Sequence, residues 1–261
     1  MAEQFTYKEI AGMIDHALLH PTLTENQLIA GCAMATLYKT ATVCVKPCDV
    51  KRSVSLLNGS QTKVCTVIGF PHGVNLTEIK VMETQQACEQ GAIEVDMVIN
   101  PGRVLDGNWK YLDKEIRAVS QAAHEHGAKI KVIFENDYLQ KGGAGLDQNS
   151  LKRKLCQISV NAGADWVKTS TGFGYTLQAD GTLASLGASE EDIFLMVDAC
   201  EQETQVKAAG GVKSLATLLR MRKIGATRIG TSSTQLILDQ CRQKLGLPPL
   251  SFSTESNPSG Y

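Results

Sequence analysis

The chain has 261 residues, of which 43% are hydrophobic, 20% charged and 5% aromatic, and its formal net charge is -1. That length and apolar content support one large core, either a single α/β barrel or two small domains. The balanced charge and scarce aromatics exclude the basic footprint and the base-stacking surface of a nucleic-acid binder.

No apolar run approaches the roughly 18 residues of a membrane helix, so no membrane partner is expected. Met1 to Phe5 lacks the basic and apolar regions of a signal peptide, and a cytoplasmic location is expected. Eight cysteines are scattered through predicted strands and helices. In a chain this well cored they read as free thiols rather than staples. Cys44 and Cys48 form a C-x3-C pair, but no second pair follows at zinc spacing.

In chain order, short β-rich apolar runs alternate with helical segments. The candidate strands are Ile14 to Leu19, Thr42 to Val45, Lys63 to Phe70, Ile93 to Asn100, Ile130 to Glu135, Asp165 to Lys168, Gln205 to Ala208 and Arg228 to Gly230. Several are continuously apolar, as strands covered on both faces are. Thr24 with Gln27 predicts a capping box for an early helix. Trp109, Leu112, Ile116, Val119 and Ala123 place one apolar stripe on a helix that ends at His126-Gly127. Ser214 is the predicted N-cap of a helix carrying Leu215, Leu218 and Leu219.

Eight such alternations predict a single (β/α)8 barrel over residues 1–250, with a short N-terminal helix and a polar, flexible tail over 251–261. The alternative is a doubly wound open sheet. No Gly-x-Gly-x-x-Gly opens the first unit, which favours the barrel. Lys141 to Ser150, which is glycine-rich, and Gly174 to Ser189, which is polar, read as loops.

In a barrel the active site lies at the carboxyl ends of the strands. The polar residues predicted there include Asp15, Cys44, Asp96, Lys131, Lys168 and Lys207. Lysines closing buried strands are costly unless they are paired or used. Three of them with two aspartates exceed what structure needs, because buried ion pairs add little net stability. Lys168 leads into Thr169-Ser170-Thr171-Gly172 and Lys207 into Ala208-Ala209-Gly210-Gly211. An amine nucleophile must be neutral to attack a carbonyl, and a second cation nearby favours that state. Lys168 and Lys207 on adjacent strands supply such a pair, with Asp96 placed to move protons. Gly210-Gly211 and Gly230-Thr231-Ser232-Ser233, the latter opening a helix near Thr234, predict a phosphate cradle. His16 and His20 lie four apart without a third ligand, so no metal and no cofactor are expected.

These segments resemble the deoxyribose-phosphate aldolase family of class I aldolases, from about Ile14 to the last helix. The resemblance rests on Ile14 to Leu19, Val43-Cys44-Val45, Val64 to Pro71, Glu94 to Val98, Lys131-Val132-Ile133, Val167 to Gly172, Val206 to Val212 and Gly230 to Ser233. It implies reversible cleavage of 2-deoxy-D-ribose 5-phosphate to D-glyceraldehyde 3-phosphate and acetaldehyde. Lys168 is implied as the Schiff-base residue, Lys207 and Asp96 as proton donors and acceptors, and Asp15 as a supporting carboxylate. Thr171, Cys44 and Lys131 are implied substrate contacts. Gly172, Gly210, Gly211, Lys213, Gly230, Ser232 and Ser233 are implied around the phosphate. Phe173 stands where some members carry a lysine. Barrels of this size commonly pair through helices, so a homodimer is expected.

Overall fold

Eight parallel strands close on themselves, and the sequence order around the ring is broken only where a small hairpin interrupts the chain. The computed structural model describes residues 5–178, 180–201 and 204–252. The barrel strands are β1 (Ile14–Leu18), β2 (Thr42–Val45), β3 (Lys63–Ile68), β4 (Glu94–Val98), β5 (Lys129–Ile133) and β6 (Trp166–Lys168). After the hairpin β7 (Thr176–Leu177) and β8 (Leu183–Ala184) come β9 (Gln205–Ala209) and β10 (Arg228–Thr231), which returns to β1. A helix follows each barrel strand, and the short helix Tyr7–Ala11 precedes the first. Among the described residues no helix is long and apolar enough to cross a membrane.

Alternation along the strands separates two interiors. Val43, Val45, Val95, Met97, Ile130, Val132, Val167, Val206, Ala208 and Ile229 belong to the main core, shared with the helices. The intervening residues turn into the ring. On β2 Thr42 donates to Asp15 at 2.7 Å, and above it Cys44, with Cys65 and Val67 of β3, forms a second cluster with Leu19. On the other strands they carry charge. Register sets Asp96 beside Lys131, Lys168 beside Lys207 and Asp15 beside Gly230.

The helices form as their caps and stripes require. Thr24 and Gln27 exchange both capping-box bonds, and the Ser214 hydroxyl accepts from the Thr217 N–H. Helix Trp109–Glu125 buries Leu112, Ile116, Val119 and Ala123. Each of the three larger side chains contributes about 1.5–3 kcal/mol, and the Ala123 methyl less.

Several predicted boundaries move, each for a local reason. The helix after β5 begins at Gln148, because the Asp147 carboxylate accepts from the Ser150 N–H at 2.8 Å. The predicted loop over 174–189 contains β7 and β8. Between them the Thr182 N–H and hydroxyl both donate to Asp180, and Gly181 takes φ +82°. β4 stops short of Asn100, whose side chain instead caps the helix Pro101–Leu105. Leu250 and Phe252 pack against the core. The rest of the predicted tail, with Tyr261, lies outside the described residues.

One buried ion pair holds the outer layer to the barrel rim. The Lys80 ammonium donates to Glu115 at 2.8 Å and to the carbonyls of Gly73 and Val98 at 2.7 and 2.8 Å. Both charged groups are fully buried. Burial pushes the lysine down and the carboxyl up, against the attraction between them. Lys80→Met should therefore cost about 3–5 kcal/mol of unfolding free energy by leaving Glu115 unpaired. Lys80→Met/Glu115→Leu should recover much of that. A single variant within about 1 kcal/mol of wild type in urea unfolding would contradict this reading.

Candidate active site

Lys168 is the last residue of β6, and Lys207 lies beside it in register on β9. Both ammonium groups meet the same oxygen of Asp96, Oδ2, at 2.8 Å from Lys168 and 2.7 Å from Lys207. Lys207 also reaches Asp15 Oδ2 at 2.5 Å. The other Asp96 oxygen accepts from Lys131 at 2.8 Å. Lys131 further contacts Glu94 at 2.6 Å and Asp15 at 3.5 Å.

Beneath them Arg228 closes the network, 2.6 Å from Asp15 and 2.8 and 3.0 Å from the two Glu94 oxygens. The Trp166 ring floors this layer, 5.0 Å from the Arg228 guanidinium and 5.6 Å from the Lys131 ammonium. The cluster thus sets three carboxylates (Asp15, Glu94, Asp96) against four cationic side chains (Lys131, Lys168, Lys207, Arg228).

Burial alone would neutralise these groups, but the partners outweigh it. Against burial, Lys207, Lys131 and Arg228 hold the Asp15 carboxyl far below its usual range. Lys131, Lys168 and Lys207 do the same to Asp96. In turn, and again against burial, Asp15 and Asp96 hold the Lys207 ammonium above its ordinary value. Lys131 is raised likewise by Asp96, Cys65, Asp15 and Glu94.

Above this network a cavity of about 310 Å³ opens at the carboxyl ends of the strands. Lys168, Lys207, Asp15, Cys44 and Thr171 all reach its wall. So do the predicted phosphate residues Gly172, Gly210, Gly211, Lys213, Gly230, Ser232 and Ser233. Gly210 and Gly211 sit at φ +90° and +76°, a conformation that side chains rarely adopt. Ser233 lies at the start of helix Thr234–Lys244, where free N–H groups favour an anion.

Two predicted site residues lie elsewhere. Asp96 is under the cavity rather than on its wall, screened by Lys168 and Lys207, two of the three ammonium groups it binds. Lys131, expected as a substrate contact, is fully buried in the floor. Three carboxylates draw its ammonium downward, away from the opening.

Cys44 borders the cavity and exchanges a side-chain hydrogen bond with Cys65, whose Sγ lies 3.2 Å from Asp96. All eight cysteines are free. His16 turns outward to Thr234 at 2.9 Å, and burial pushes its imidazole down to about 4. Two donor groups, Cys44/Cys65/Asp96 and Asp15/Cys65/Glu94, are close enough to ligate an ion. Their carboxylates are already occupied by Lys131, Lys207 and Arg228, so they fit a metal poorly. Phe173 packs edge-on against Phe70, 5.4 Å between ring centres, over the apolar side of the mouth.

Sequence reasoning missed two parts of this site and misplaced a third. Arg228 was read only as the start of a strand, although its place two residues before Gly230 puts it on the inward face. Ser185, Leu186 and Gly187 form one wall of the cavity. Asp137 fixes them by accepting from the Leu186 N–H at 2.8 Å and the Ser185 hydroxyl at 3.3 Å. Glu135, read as a continuation of its strand, turns instead into the left-handed region at φ +53° and binds Thr171.

Comparison with known proteins bears on this arrangement. Residues 10–237 match the sequence profile of the DeoC/LacD family aldolases. The deoxyribose-phosphate aldolase of Rhodopirellula baltica is 43% identical over 257 residues, covering 98% of this chain and 99% of that one. The enzyme of the same name from Geobacillus sp. strain WCH70 is 44% identical over 230 residues, 88% of this chain and 95% of its own. Among solved structures, the deoxyribose phosphate aldolase of Aeropyrum pernix, a tetramer, superposes with a TM-score of 0.77 at 30% identity. The match covers 92% of this chain and 93% of that one.

The charge network makes a prediction about acid stability. Asp15 and Asp96 have folded-state values below their unfolded ones, so their stabilisation is fully present above about pH 4 and is lost progressively as the pH falls below that toward the folded-state values. Asp15→Asn should cost about 3–5 kcal/mol at neutral pH. It should also make the acid limb of the stability curve shallower. Unfolding free energies at several pH values check both, and an unchanged acid limb would contradict the assignment.

Proposed function

The chain belongs to the DeoC/LacD aldolase family, and from that premise we propose that it reversibly cleaves 2-deoxy-D-ribose 5-phosphate to D-glyceraldehyde 3-phosphate and acetaldehyde through a Schiff base on Lys168. The observation that carries this reading is the unequal pairing of the two cavity lysines. Lys207 is held by two carboxylates, whereas Lys168 shares a single oxygen of one. Removing one proton from Lys168 leaves three cations opposite three carboxylates.

The chemistry then follows from position. Lys168 Nζ adds to the aldehyde carbon of the open-chain sugar, and the carbonyl oxygen leaves as water. The protonated imine so formed is an electron sink. The C3 hydroxyl gives up its proton, the C2–C3 bond breaks, and its electron pair moves through C2 to the imine nitrogen. D-Glyceraldehyde 3-phosphate departs and an enamine remains. A proton returns to C2, water adds to the imine carbon, and acetaldehyde leaves the free amine.

Lys207 is the proton carrier that faces the substrate, and Asp96 exchanges protons behind it. Asp15 keeps Lys207 charged and in place. Thr171 holds a sugar hydroxyl, and Cys44 with Phe70 and Phe173 offers an apolar wall to the two-carbon fragment. The backbone N–H groups at Gly172, Gly210, Gly211, Gly230, Ser232 and Ser233, with the Lys213 ammonium, take the phosphate. A cavity of about 310 Å³ is in proportion to a five-carbon sugar phosphate. A cytoplasmic location, one barrel domain over 1–250 and a homodimer complete the proposal. For the dimer, Leu76, Ile79 and Met82 present an exposed apolar strip along one helix.

Borohydride reduction in the presence of acetaldehyde, followed by peptide mapping, should capture an adduct on Lys168 and none on Lys207. Lys168→Ala should fold, lose the adduct and lose turnover by a factor on the order of 10⁴. An adduct at another lysine, or wild-type turnover in that variant, would overturn the mechanism. Lys207→Leu should lower kcat about 10²–10⁴-fold, the span of a general acid–base group. Normal kcat and an unchanged pH profile would remove Lys207 from the reaction.

A further inference from the structure

We propose that Glu135 is a positioning residue that sets the direction of the hydrogen bond Thr171 offers to the sugar, and so couples cleavage of the sugar to pH. The inference deepens the proposed function and rests on it. Glu135 follows β5 and is 1% exposed. It adopts φ +53° and ψ +67°, which a non-glycine residue seldom does, and such backbone strain gathers at functional positions.

That turn aims the carboxylate at Thr171. The Thr171 N–H donates to both oxygens, at 3.2 and 3.4 Å, and the Thr171 hydroxyl donates to Oε2 in a short bond. Thr171 lines the cavity, and Glu135 does not. Gly174 covers the other side. A Cβ there would lie 2.5 Å from the Glu135 carboxyl carbon, so the backbone of 174 seals the carboxylate from solvent.

A hydroxyl has one proton and two lone pairs. With Glu135 ionised, the Thr171 proton is committed to Oε2. One lone pair accepts from the Phe173 N–H at 2.9 Å. That leaves one lone pair for a ligand in the cavity that Thr171 lines, where Thr171 then acts as an acceptor, strengthened by the anion behind it. When Glu135 takes a proton, that proton is donated to the Thr171 oxygen and consumes the lone pair. The Thr171 proton then turns toward the cavity, and the acceptor becomes a donor. A sugar hydroxyl that must release its proton is held best in the first state.

The change falls near neutrality. Burial is the largest influence on the Glu135 carboxyl and pushes it up to about 7, with the two Thr171 donors pulling it back. The charged and titratable groups around it are Lys168 from β6, which lowers it, and Asp137 from its own turn, which raises it. Tyr138 senses its charge and packs edge-on against Tyr175 at 5.7 Å. The ionised form prevails above about 7, so the effect on the sugar is present there and fades as the pH falls.

Two reactions of one amine provide the test. Cleavage of the sugar needs the Thr171 contact, whereas proton exchange at the acetaldehyde methyl, followed by NMR, needs only Lys168 and its proton carriers. The ratio of kcat/KM for the sugar to the exchange rate cancels the shared amine step. In the wild-type protein this ratio should fall about tenfold as the pH drops through 7, the worth of one charge-assisted hydrogen bond.

Glu135→Gln should show a low ratio at every pH, expressed mainly in KM. Thr171→Ala, which keeps Glu135, should lose the pH limb as well. Combining the two changes should add nothing beyond Thr171→Ala alone. A pH-independent ratio in the wild type, or additive losses in the double variant, would overturn the inference while leaving the Schiff base standing. Equal loss of exchange and cleavage in Glu135→Gln would also overturn it, by showing that the residue acts on the amine. No exchange and no reduced adduct in the wild type would overturn the proposed function, and this inference with it.

Discussion

One carboxylate holds three ammonium groups. Asp96, from β4, binds Lys131 of β5 with one oxygen and both Lys168 of β6 and Lys207 of β9 with the other. An arrangement so crowded is tolerable only because Asp15, Glu94 and Arg228 extend it into a nearly balanced, largely buried network. Its strands cannot shift register without separating a buried ion pair, so the network and the barrel specify one another. The network is also unequal. Lys131 is buried beneath carboxylates, Arg228 spans Asp15 and Glu94, Lys207 is clamped between two, and Lys168, on the cavity wall, has the fewest partners. The proposed nucleophile is the one cation whose charge the carboxylates do not match.

The mouth above is divided in a way that suits an unequal substrate. One side is apolar, lined by Leu19 and Cys44 and backed by the cluster they form with Val67, Phe70 and Phe173. The other is mostly backbone, at the glycine turns after β9 and β10 and the helix start at Ser233. Such a division favours a small aldehyde fragment on one side and a phosphate on the other, with the amine between them. Phe173 belongs to the apolar side, so the phosphate contacts in this proposal come from backbone N–H groups and Lys213.

Much of this was legible in the sequence. All eight barrel strands are marked, several by continuously apolar runs and the rest by β-rich segments at the recurring spacing, because parallel strands covered on both faces leave a strong signal. Capping at Thr24 and Ser214 is local chemistry and was readable as such. Lys168 and Lys207 stood out because charge at the end of a buried strand is costly. The depth of each residue was not legible. Lys131 and Lys168 look alike in sequence, and only the closed ring shows that three carboxylates pull the first into the floor. Arg228 pairs with Asp15 across 213 positions, and Lys80 with Glu115 across two helices, contacts that periodicity cannot reveal. The left-handed turn at Glu135 was hidden for another reason. Its side chain would continue the strand alternation, but the backbone leaves the strand first.

The unequal sharing of Asp96 leads to a direct observation. A crystal structure of the protein soaked with 2-deoxyribose 5-phosphate should show density continuous from Lys168 Nζ to the sugar's first carbon. Lys207 should remain on Asp96 and Asp15, and the phosphate should lie against Gly210, Gly211 and Ser233. A sugar bonded to Lys207, or one lying unbonded with its phosphate on the apolar side, would contradict the account.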